Sequence, residues 1–599
     1  MKSKLANWKA SLLSIAGRVQ LVKSVITSML THTMSVYSWP ISLLKSMEKC
    51  IKNFIWSGDT SKRKLVTVAW KKVCNSYEGG GLGIRSLLRL NEAFNLKLGW
   101  DMLHSNEEWA IILRSRAIKR RKPINYHIFS SLWNGIKHEL LVITENSTWL
   151  IGNGKNVNFW YDNWCGDSLQ NTFNLSDTEA NNYPQSVSEF ITNSQWNIPH
   201  DITIRFPALN VHVRQITLPL EDKDDLLLWK HSSSGTLSLK DAYQFKKPQT
   251  ATLNWASKIW CKDIPPSKSL LVWRLMHDKV PTDEKLMERG CSIPSRCSLC
   301  SIHAETSFHL FFECNFAIRL WCWLASVLNL NLHFQSLEDI WTLCDIGWFP
   351  QCKIVVTAAI VSIIATIWFY RNQARFQSKS THWRLAINSI ISNVALSGNN
   401  TSKASNSSVR DLVILKKFNI NIHSPKAPVI KEVIWQPPIA NWVKCNTDGA
   451  SNTTNSSCGG IFRNSDAILL CCFAENIGGG SAYHAEISGV LRAIEIASQR
   501  RMLNLWIETD STLVVMAFKN ATLIPCNLRN RWYNCKLLLN AMNFIVSHIY
   551  REGNQCADRL AALGLTIQNL TIWSEVPLDI REFYVKNRLG MPNFRFINF

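Results

Sequence analysis

Four stretches near the carboxyl end of the chain decide its fold: WVKCNTDGA (442–450), YHAEISGVLRAI (483–494), LWIETDS (505–511) and IVSHIYREGNQCADRLA (545–561). The first and third favour short strands, and the second carries apolar residues at helical spacing. Each stretch places one carboxylate at the end of an element, namely Asp448, Glu486, Asp510 and Asp558. The alternation of strands and helices predicts an α/β layer domain.

These four carboxylates have a structural and a chemical interpretation. Singly, the two that follow strands suit turn caps, and the two that begin helices suit the helix dipole. Together, clustered carboxylates repel one another unless cations hold them, and Mg²⁺ prefers oxygen ligands. Two such ions about 4 Å apart can stabilise both the attacking and the leaving oxygen of a phosphodiester displacement. Spacing alone leaves both interpretations open.

In order and separation, the four stretches resemble the ribonuclease H motifs of plant non-LTR (LINE-type) retroelements, over about 440–566. The resemblance implies that the four carboxylates bind two Mg²⁺ ions, or Mn²⁺, and that the domain hydrolyses the RNA strand of RNA–DNA hybrids as an endonuclease. It also implies a loop histidine at His548, which would assist proton transfer or product departure; a strand-end structural histidine is the alternative.

Recognition of RNA by this domain would depend on polar groups that read 2′-hydroxyls across a shallow minor groove. Ser451, Asn452 and Asn554 are the candidates in the sequence. His484, two residues before Glu486, is expected to be structural or solvent-facing.

A cysteine and histidine cluster lies upstream, with the spacing C-x2-C-x8-H-x4-C at Cys297, Cys300, His309 and Cys314. Three thiolates and one imidazole are a suitable tetrahedral set for structural Zn²⁺. The alternative is that these cysteines are buried as small apolar residues.

Other ligands for the same ion are less favoured; they are Cys291, His303 and Cys322. The surrounding sequence, from Trp255 to Gly290 and on through RLWCW (319–323), resembles the zinc-binding domain of plant retroelement reverse transcriptases. The resemblance implies a role in folding and nucleic-acid contact, because four protein ligands leave no open position for catalysis.

Residues 5–100 resemble the segment that follows the polymerase palm in the same elements, on LSIAGRVQLVKSV, FIWSG, GGLGIRSL and NEAFNLKLGW. Polymerisation needs a paired-aspartate hairpin, usually Phe/Tyr-x-Asp-Asp, which the sequence lacks; Asp224-Asp225 has no strand context. We therefore expect no reverse-transcriptase activity, and a chain that is the C-terminal part of a longer polyprotein. Residues 1–125 would then expose apolar surface, because their helices lack a packing layer.

Composition sets the class of partner. The 599 residues are 46% hydrophobic and 18% charged, which excludes wholesale disorder. The net charge of +22 favours nucleic acid as a partner. Residues 1–125 hold 22 Lys or Arg against 7 Asp or Glu, whereas 441–599 hold 15 against 12, so the basic surplus is mostly N-terminal.

Two further features of the sequence predict the cellular compartment and whether the chain spans a membrane. The 18 cysteines are scattered and the chain lacks a secretory start, so we expect an intracellular protein, in nucleus or cytoplasm, that is not secreted. Residues 354–370 form an apolar run of 17 residues, at the short limit for a membrane span. A buried core helix is favoured over a span, and no membrane partner is expected; protein partners are open.

The expected fold class is therefore multidomain. An α/β ribonuclease H-like domain with a mixed sheet follows a zinc-binding mixed α/β domain and a mainly helical polymerase remnant. The predicted boundaries are a basic helical remnant at 1–125, a Trp-rich connecting region at 126–250, the zinc-binding domain at 251–345, an apolar helix at 346–395, a flexible linker at 396–435, the nuclease at 436–570 and a tail at 571–599. The leading hypothesis is a ribonuclease H with a nucleic-acid-binding zinc module; the alternative is a catalytically inactive, nucleic-acid-binding relic.

Overall fold

The structure, a computed structural model, describes residues 13–119, 122–124, 126, 128, 130, 132–405, 408–425 and 427–597. The first twelve residues of the predicted remnant and three of the predicted linker lie outside this range. Two compact units interleave along the chain. The first holds the described parts of Met1–Leu98, Tyr126–Ile136 and Ala242–Lys426, and the second those of Gly99–Asn125, Lys137–Asp241 and Ala427–Phe599. The units therefore do not follow the consecutive boundaries expected from the sequence.

Helices dominate the first two thirds of the chain. In chain order they are α1 (Ile15–Leu21), α2 (Thr27–Met34), α3 (Ile41–Ser57), α4 (Trp70–Val73), α5 (Leu87–His104), α6 (Glu108–Ala117), α7 (Trp133–Glu145), α8 (Leu169–Thr172), α9 (Asp177–Ala180), α10 (His200–Arg205), α11 (Pro207–Arg214), α12 (Leu239–Lys246), α13 (Asn254–Ile259), α14 (Pro266–Met276), α15 (Asp283–Met287), α16 (Asn315–Leu328), α17 (Pro350–Gln377), α18 (Trp383–Asn400), α19 (Val409–Lys417), α20 (Ala482–Gln499), α21 (Thr512–Lys519), α22 (Arg529–Leu539), α23 (Gln555–Gly564) and α24 (Arg581–Arg588). Single π-helical turns span Val22–Ile26 and His309–Glu313.

Strands are short before residue 429 and longer after it. They are β1 (Ile118–Lys119), β2 (Lys122–Pro123), β3 (Ser147–Leu150), β4 (Ile191–Thr192), β5 (Gln195–Trp196), β6 (Leu226–Trp229), β7 (Val429–Val433), β8 (Val443–Ser451), β9 (Ser456–Arg463), β10 (Leu469–Gly478), β11 (Asn504–Thr509), β12 (Asn543–His548), β13 (Thr571–Trp573) and β14 (Asn593–Ile597).

The N-terminal helices of the first unit are packed, so the expectation that they lack a packing layer is wrong. Trp56 of α3 stacks on Trp273 of α14, with ring centroids 6.3 Å apart. Trp273 Nε1 donates to the Gly80 carbonyl at 2.8 Å, and His277 Nε2 lies 2.7 Å from the same oxygen. Residues 254–277 supply the layer that the sequence argument had assigned to an absent domain. The N-terminal residues buried in this core include Val22, Ile26, Met34, Leu44, Phe54 and Ile55.

The predicted apolar helix is α17. Among the described residues it is the one helix long and apolar enough to cross a membrane, yet 72% of its most apolar window is buried inside the protein. This burial is that of a core helix, as the sequence predicted. The absence of a membrane partner stays a prediction.

Two expectations for the first unit are wrong. Residues 251–345 contain helices and no strand, because their apolar residues, such as Leu320 and Leu324 of α16, recur at helical spacing. The predicted flexible linker contains the end of α18 and all of α19. Its small residues allow close packing: a Cβ on Gly398 would lie 2.5 Å from Ile420 Cδ1.

The Trp-rich region of the second unit has its own apolar core, formed by fifteen buried residues that include Phe159, Trp160, Trp164 and Phe190. Asp225 closes the loop beside it. Its carboxylate accepts the backbone N–H groups of Gly152, Gly154 and Asn156 at 2.7–2.9 Å. Asp225 is thus a structural carboxylate. It directly precedes β6, so the expectation that Asp224-Asp225 has no strand context is wrong.

The C-terminal part of this unit is a mixed six-stranded sheet in the order β12-β11-β8-β9-β10-β13. Strands β8, β9, β10 and β13 are antiparallel neighbours, whereas β11 pairs parallel with both β8 and β12. Helices α20 to α22 pack on one face and α23 and α24 on the other. The α/β ribonuclease H-like layer fold is therefore present as expected.

The segment after 570 is integral to this fold and not a tail. β13 pairs with β10, and Ile580 and Tyr584 pack with the sheet and α23 in one core. β14 then pairs with β7 in an antiparallel two-stranded ribbon. These contacts explain why periodicity within 436–570 could not define the end of the domain.

Candidate active site and zinc cluster

Parallel strands bring two of the four carboxylates to one edge of the sheet. Thr447 of β8, Thr509 of β11 and His548 of β12 are cross-strand neighbours. Asp448 and Asp510 each follow one of these threonines. β11 ends at Thr509, just before Asp510, whereas β8 continues to Ser451, so Asp448 lies inside its strand and does not end an element as expected. The two carboxylates still meet where the sequence analysis expected a metal site, because the parallel pairing of β8 with β11 stops at Thr447.

Glu486 reaches this edge through a close helix–strand approach. It lies in the first turns of α20, which begins after Ser481, whose hydroxyl accepts the backbone N–H of His484 at 3.2 Å. A Cβ on Gly449 would lie 2.3 Å from the backbone nitrogen of Glu486. A glycine after Asp448 is therefore required for α20 to sit this close to β8.

Burial, with repulsion between neighbouring carboxylates, opposes ionisation of Asp448, Glu486 and Asp510. Asp448 is 6% exposed. Burial, followed by repulsion from Asp510, Asp558 and Glu486, raises its pKa to about 8. Burial is also the main cause that raises the pKa of Glu486 and of Asp510. The four groups therefore belong to one electrostatic site.

Asp558 lies in the first turn of α23 and has a cationic partner. Arg551 Nη2 donates to its Oδ1 at 2.8 Å. Arg551 also lowers the pKa of Asp510, against the larger effect of burial. Sequence reasoning missed this arginine, because a basic residue in a loop carries no signal of which carboxylate it contacts.

Asn554 is a buried positioning residue and not a reader of 2′-hydroxyls. It is 1% exposed. Its Nδ2 donates to the Thr447 carbonyl at 3.0 Å and lies 3.5 Å from Asp510 Oδ1, while its Oδ1 accepts from Asn446 at 3.2 Å. That part of the sequence interpretation is wrong, since every polar atom of this side chain has a partner inside the protein.

Buried polar and charged side chains form a hydrogen-bonded network next to the carboxylate site. Asn446 Nδ2 donates to Glu508 Oε2 at 2.9 Å, and Lys444 Nζ lies 3.1 Å from Glu508 Oε1. Arg463 Nη2 donates to Asn446 Oδ1 at 2.7 Å, and its guanidinium lies 3.5 Å from the Trp435 ring centroid. This network joins β8 to both of its neighbours, β9 and β11, close to Asp448.

The remaining candidates are exposed. His548 ends β12 with Nε2 3.1 Å from the backbone oxygen of Asp510, so it lies beside the carboxylates and open to solvent. Ser451 and Asn452 are exposed at the end of β8, where Asn452 Oδ1 accepts two backbone N–H groups of its own turn. His484 is half-buried, and burial lowers its pKa, in agreement with a structural role.

The donor set fits the expected divalent cations. Carboxylate oxygens are the ligands that Mg²⁺ and Mn²⁺ prefer, and positive charge would relieve the repulsion that raises the pKa of Asp448. Asp448, Glu486, Asp510 and Asp558 are the residues that would hold them.

The structure gathers the Cys297, Cys300, His309 and Cys314 ligand atoms within 4.8 Å of one another. A tetrahedral Zn²⁺ with ~2.3 Å bonds to sulfur and ~2.0 Å bonds to nitrogen would place two sulfurs ~3.8 Å apart and a sulfur ~3.5 Å from the nitrogen. The Cys297 and Cys314 sulfurs are 3.9 Å apart, and Cys300 Sγ lies 3.4 Å from His309 Nε2. These spacings fit zinc, and Cys291, His303 and Cys322 lie outside the group.

Protonation and orientation in this cluster also suit a metal. The contact between the two buried thiols lowers the pKa of Cys297 to about 4 and raises that of Cys314, as expected for a pair that shares one proton. His309 presents Nε2 to the cluster, and its Nδ1 lies 4.0 Å from Glu313 Oε2. This distance is too long for a hydrogen bond, so Glu313 is an exposed neighbour of the ring and does not fix its orientation.

A buried ionic network ties this cluster to the core helix. Glu305 and Arg371 are 0% and 2% exposed, and Arg371 binds Glu305 with both Nε and Nη2. Arg375 Nη1 lies 2.5 Å from Asp283 Oδ1, and Asp283 N donates to Glu305 Oε1 at 3.2 Å. Sequence reasoning missed this network, since its members are separated by up to 92 residues.

Comparison with known families gives the same two modules. Residues 237–321 match the family described as zinc-binding in reverse transcriptase, and residues 446–564 match the family described as reverse transcriptase-like. An "Uncharacterized mitochondrial protein" of Arabidopsis thaliana is 30% identical over 141 residues, which are 23% of this chain and 92% of that protein. The chain belongs to the plant retroelement reverse transcriptase and ribonuclease H-like proteins.

A second relative matches this retroelement protein over nearly the whole length of both chains. It is an Arabidopsis thaliana protein named "Putative ribonuclease H protein", 26% identical over 598 residues, which are 95% of this chain and 92% of that protein. Among solved structures, ribonuclease H1 from Halobacterium salinarum is 23% identical and covers 21% of this chain and 97% of that one, with a TM-score of 0.19. LC11 ribonuclease H1 in complex with RNA/DNA hybrid is 19% identical and covers 21% and 96%, with a TM-score of 0.20.

Proposed function

We propose that this retroelement protein is an endonuclease of the ribonuclease H type, which hydrolyses the RNA strand of RNA–DNA hybrids with Mg²⁺ or Mn²⁺. The observation that carries the proposal is the state of Asp448, which is buried among three further carboxylates and has its pKa raised to about 8. Two divalent cations, when bound, would supply charge stabilisation for the attacking and leaving oxygens.

The chain's own residues perform the positioning. Asn554 links the Thr447 carbonyl and the Asp510 carboxylate, and therefore holds the ends of β8 and β11 at a fixed separation. Arg551 holds the Asp558 carboxylate. We assign His548, exposed beside Asp510, to proton transfer or product departure. No residue of this chain is assigned to polymerisation.

The zinc cluster has a structural role in this proposal. Four protein ligands leave no open coordination position, and the ionic network of Glu305 and Arg371 joins the cluster to the core of its unit. We propose one Zn²⁺ that stabilises this unit, whose N-terminal residues carry most of the positive charge and contact nucleic acid.

The test uses the whole chain, because β13, α24 and β14 are integral to the nuclease fold. An RNA–DNA hybrid labelled on the RNA strand is incubated with wild type and with the Asp448→Asn, Asp510→Asn double variant. Buffers contain Mg²⁺, Mn²⁺ or chelator, and double-stranded DNA is the substrate control. We expect metal-dependent cleavage of the RNA strand by wild type alone. Equal cleavage by both proteins, or none by either, would overturn the proposal; binding without cleavage would favour the inactive relic.

A further inference from the structure

A basic two-stranded ribbon lies beside the candidate active site and outside the matched family region. It consists of β7 and β14, which are about 160 residues apart in sequence and pair along their full lengths. The ribbon packs on the loop that follows β12: Val433 is 5% exposed, and a Cβ on Gly553 would lie 3.0 Å from its Cγ1. An isolated two-stranded ribbon is marginally stable, so this contact holds it in place.

One face of the ribbon carries an unfavourable pair of charges. Lys431 and Arg595 are direct cross-strand neighbours. Like charges in this position repel and destabilise an antiparallel pair. A local arrangement that opposes stability is expected mainly where a function requires it.

Tyr550 organises this pair of cations. Lys431 Nζ donates to the Tyr550 hydroxyl at 3.2 Å and lies 4.6 Å from the ring centroid. The Arg595 guanidinium lies 4.6 Å from the same centroid, and its Nη1 is 3.3 Å from Glu552 Oε2. Cation–π contact thus fixes two positive groups around one aromatic ring. Among the residues that the structure describes, Glu552 lies within ion-pair distance of Arg595, and no carboxylate lies as close to Lys431.

The two cations, Lys431 and Arg595, adjoin the carboxylate site through Tyr550. Tyr550 lies between His548, whose ring contacts it edge-on at 5.5 Å, and Arg551, which binds Asp558. Lys431 is exposed, and the Arg595 side chain is 37% exposed. Lys431, and Arg595 with its partly exposed partner Glu552, therefore lie next to the point at which a phosphodiester would be cleaved.

We propose that Lys431 and Arg595, held on Tyr550, bind the phosphate backbone of a nucleic-acid strand next to the scissile position. The inference rests on the proposed function for the class of substrate and extends it to a site at 431, 550 and 595. Phosphate is the chemical group that satisfies both cations at once, and it relieves their mutual repulsion. The site reads no sequence, because it contacts the backbone alone.

The test measures binding without cleavage. Full-length protein in chelator is titrated into a fluorescent RNA–DNA hybrid at several salt concentrations. The variants are Lys431→Gln, Arg595→Gln and their double, which keep most of each side-chain stem. Lys586→Gln is the matched control, since Lys586 is an exposed lysine of the same domain whose hydrogen-bond partner is Glu582. Thermal melts verify that each variant is folded.

The logarithm of the association constant falls linearly with the logarithm of the salt concentration. Each lost phosphate contact should make this dependence shallower by about 1 and weaken binding roughly fivefold near 0.15 M salt. We expect these changes in both single variants, a larger change in the double variant, and none in the control. Lys431→Arg should restore wild-type binding to within about twofold.

The outcomes separate this inference from the proposed function. Cleavage by wild type with unchanged affinity and salt slope in the double variant would overturn the ribbon site alone. Absence of cleavage, with affinity lost in the double variant and kept in Lys586→Gln, would support the ribbon site and overturn the nuclease. An equal loss in Lys586→Gln, or no hybrid binding by wild type, would overturn the ribbon site.

Discussion

Arg551 Nη2 lies 2.8 Å from Oδ1 of Asp558, so one of the four proposed metal ligands already has a cationic partner. The Arg551 side chain is 73% exposed, and it also lowers the pKa of Asp510. An arginine that binds a metal ligand competes with the metal for the same negative charge.

Removal of that arginine should tighten metal binding. In Arg551→Ala the Asp558 carboxylate is free, and the potential at Asp510 becomes more negative. An exposed ion pair is worth at most about 1 kcal/mol, so we expect roughly threefold tighter binding of Mn²⁺ in the absence of nucleic acid. Calorimetric titration measures this, with Lys586→Ala as a control for net charge. Weaker binding in Arg551→Ala would show that the arginine orders the site and does not compete.

The free energy of unfolding should depend on pH through Asp448. Its carboxyl ionises near 3.8 in the unfolded chain and at about 8 in the folded protein, so the folded protein holds the extra proton between these values. In chelator, stability is therefore greatest below about pH 4 for this group and is lost as pH rises to about 8. The difference between 3.8 and about 8 sets an upper limit of ~6 kcal/mol on this contribution to the free energy of unfolding.

Denaturant titrations at several pH values measure this effect. We expect the pH dependence to become much smaller in Asp448→Asn and in saturating Mg²⁺, and to persist in Asp466→Asn, a change in an exposed turn. A wild-type protein whose stability rises between pH 5 and 8 in chelator would contradict this account.

Binding of zinc should require the four clustered ligands. Cys297→Ser removes a fully buried ligand, and we expect the bound zinc to fall from one ion per chain to nearly none. Because metal binding contributes directly to folding, the first unit should lose several kcal/mol of stability. Metal analysis and limited proteolysis measure the two effects. Cys322→Ser, at an exposed cysteine outside the cluster, should retain the ion; equal zinc in both variants would exclude the site.

The buried ionic network should be sensitive to the loss of one partner. Glu305→Gln removes the carboxylate that binds two nitrogens of Arg371, which is 2% exposed, and leaves it Asp283, whose Oδ1 lies 3.8 Å from Nη2. Breaking a buried pair typically costs about 3–5 kcal/mol, and the remaining contact with Asp283 places the expected loss at the lower end. Glu582→Gln breaks the exposed pair with Lys586 and should cost less than about 1 kcal/mol. Denaturation monitored by tryptophan fluorescence compares them, and similar losses would contradict the assignment.

Sequence reasoning succeeded where local pattern determines position. Asp510 follows β11, and Asp448 lies in β8 just past the residues that pair in parallel with β11, so the two are neighbours. The C-x2-C spacing placed Cys297 near Cys300. It failed where distant segments pair. The contact of β7 with β14, and the packing of Trp56 on Trp273, depend on residues far apart in the chain, for which a single sequence carries no signal.

The same limit explains the errors at the predicted linker and tail. Low complexity at 396–410 suggested that nothing could be buried, but Gly398 packs against Ile420 because it is small. The segment after 570 lacks a recognised motif, yet Tyr584 is part of the core, and Asn587 Oδ1 accepts a hydrogen bond from Arg463 Nη1 at 3.0 Å. Burial of such residues is set by their tertiary partners and not by their local pattern.

The approach of α20 to β8 gives the last prediction. In Gly449→Ala the new Cβ would lie 2.3 Å from the backbone nitrogen of Glu486, a distance that requires movement of the helix or the strand. Glu486 and Asp448 would then separate, and we expect loss of stability of about 1–3 kcal/mol together with at least a tenfold loss of metal-dependent cleavage. Gly479→Ala is the matched control, since the atom nearest to its Cβ would be the Thr454 carbonyl oxygen at 3.7 Å, an ordinary contact. Cleavage assays and thermal melts compare the two variants at equal metal concentration. Full activity in Gly449→Ala would show that the relative placement of Glu486 and Asp448 is not required for the reaction.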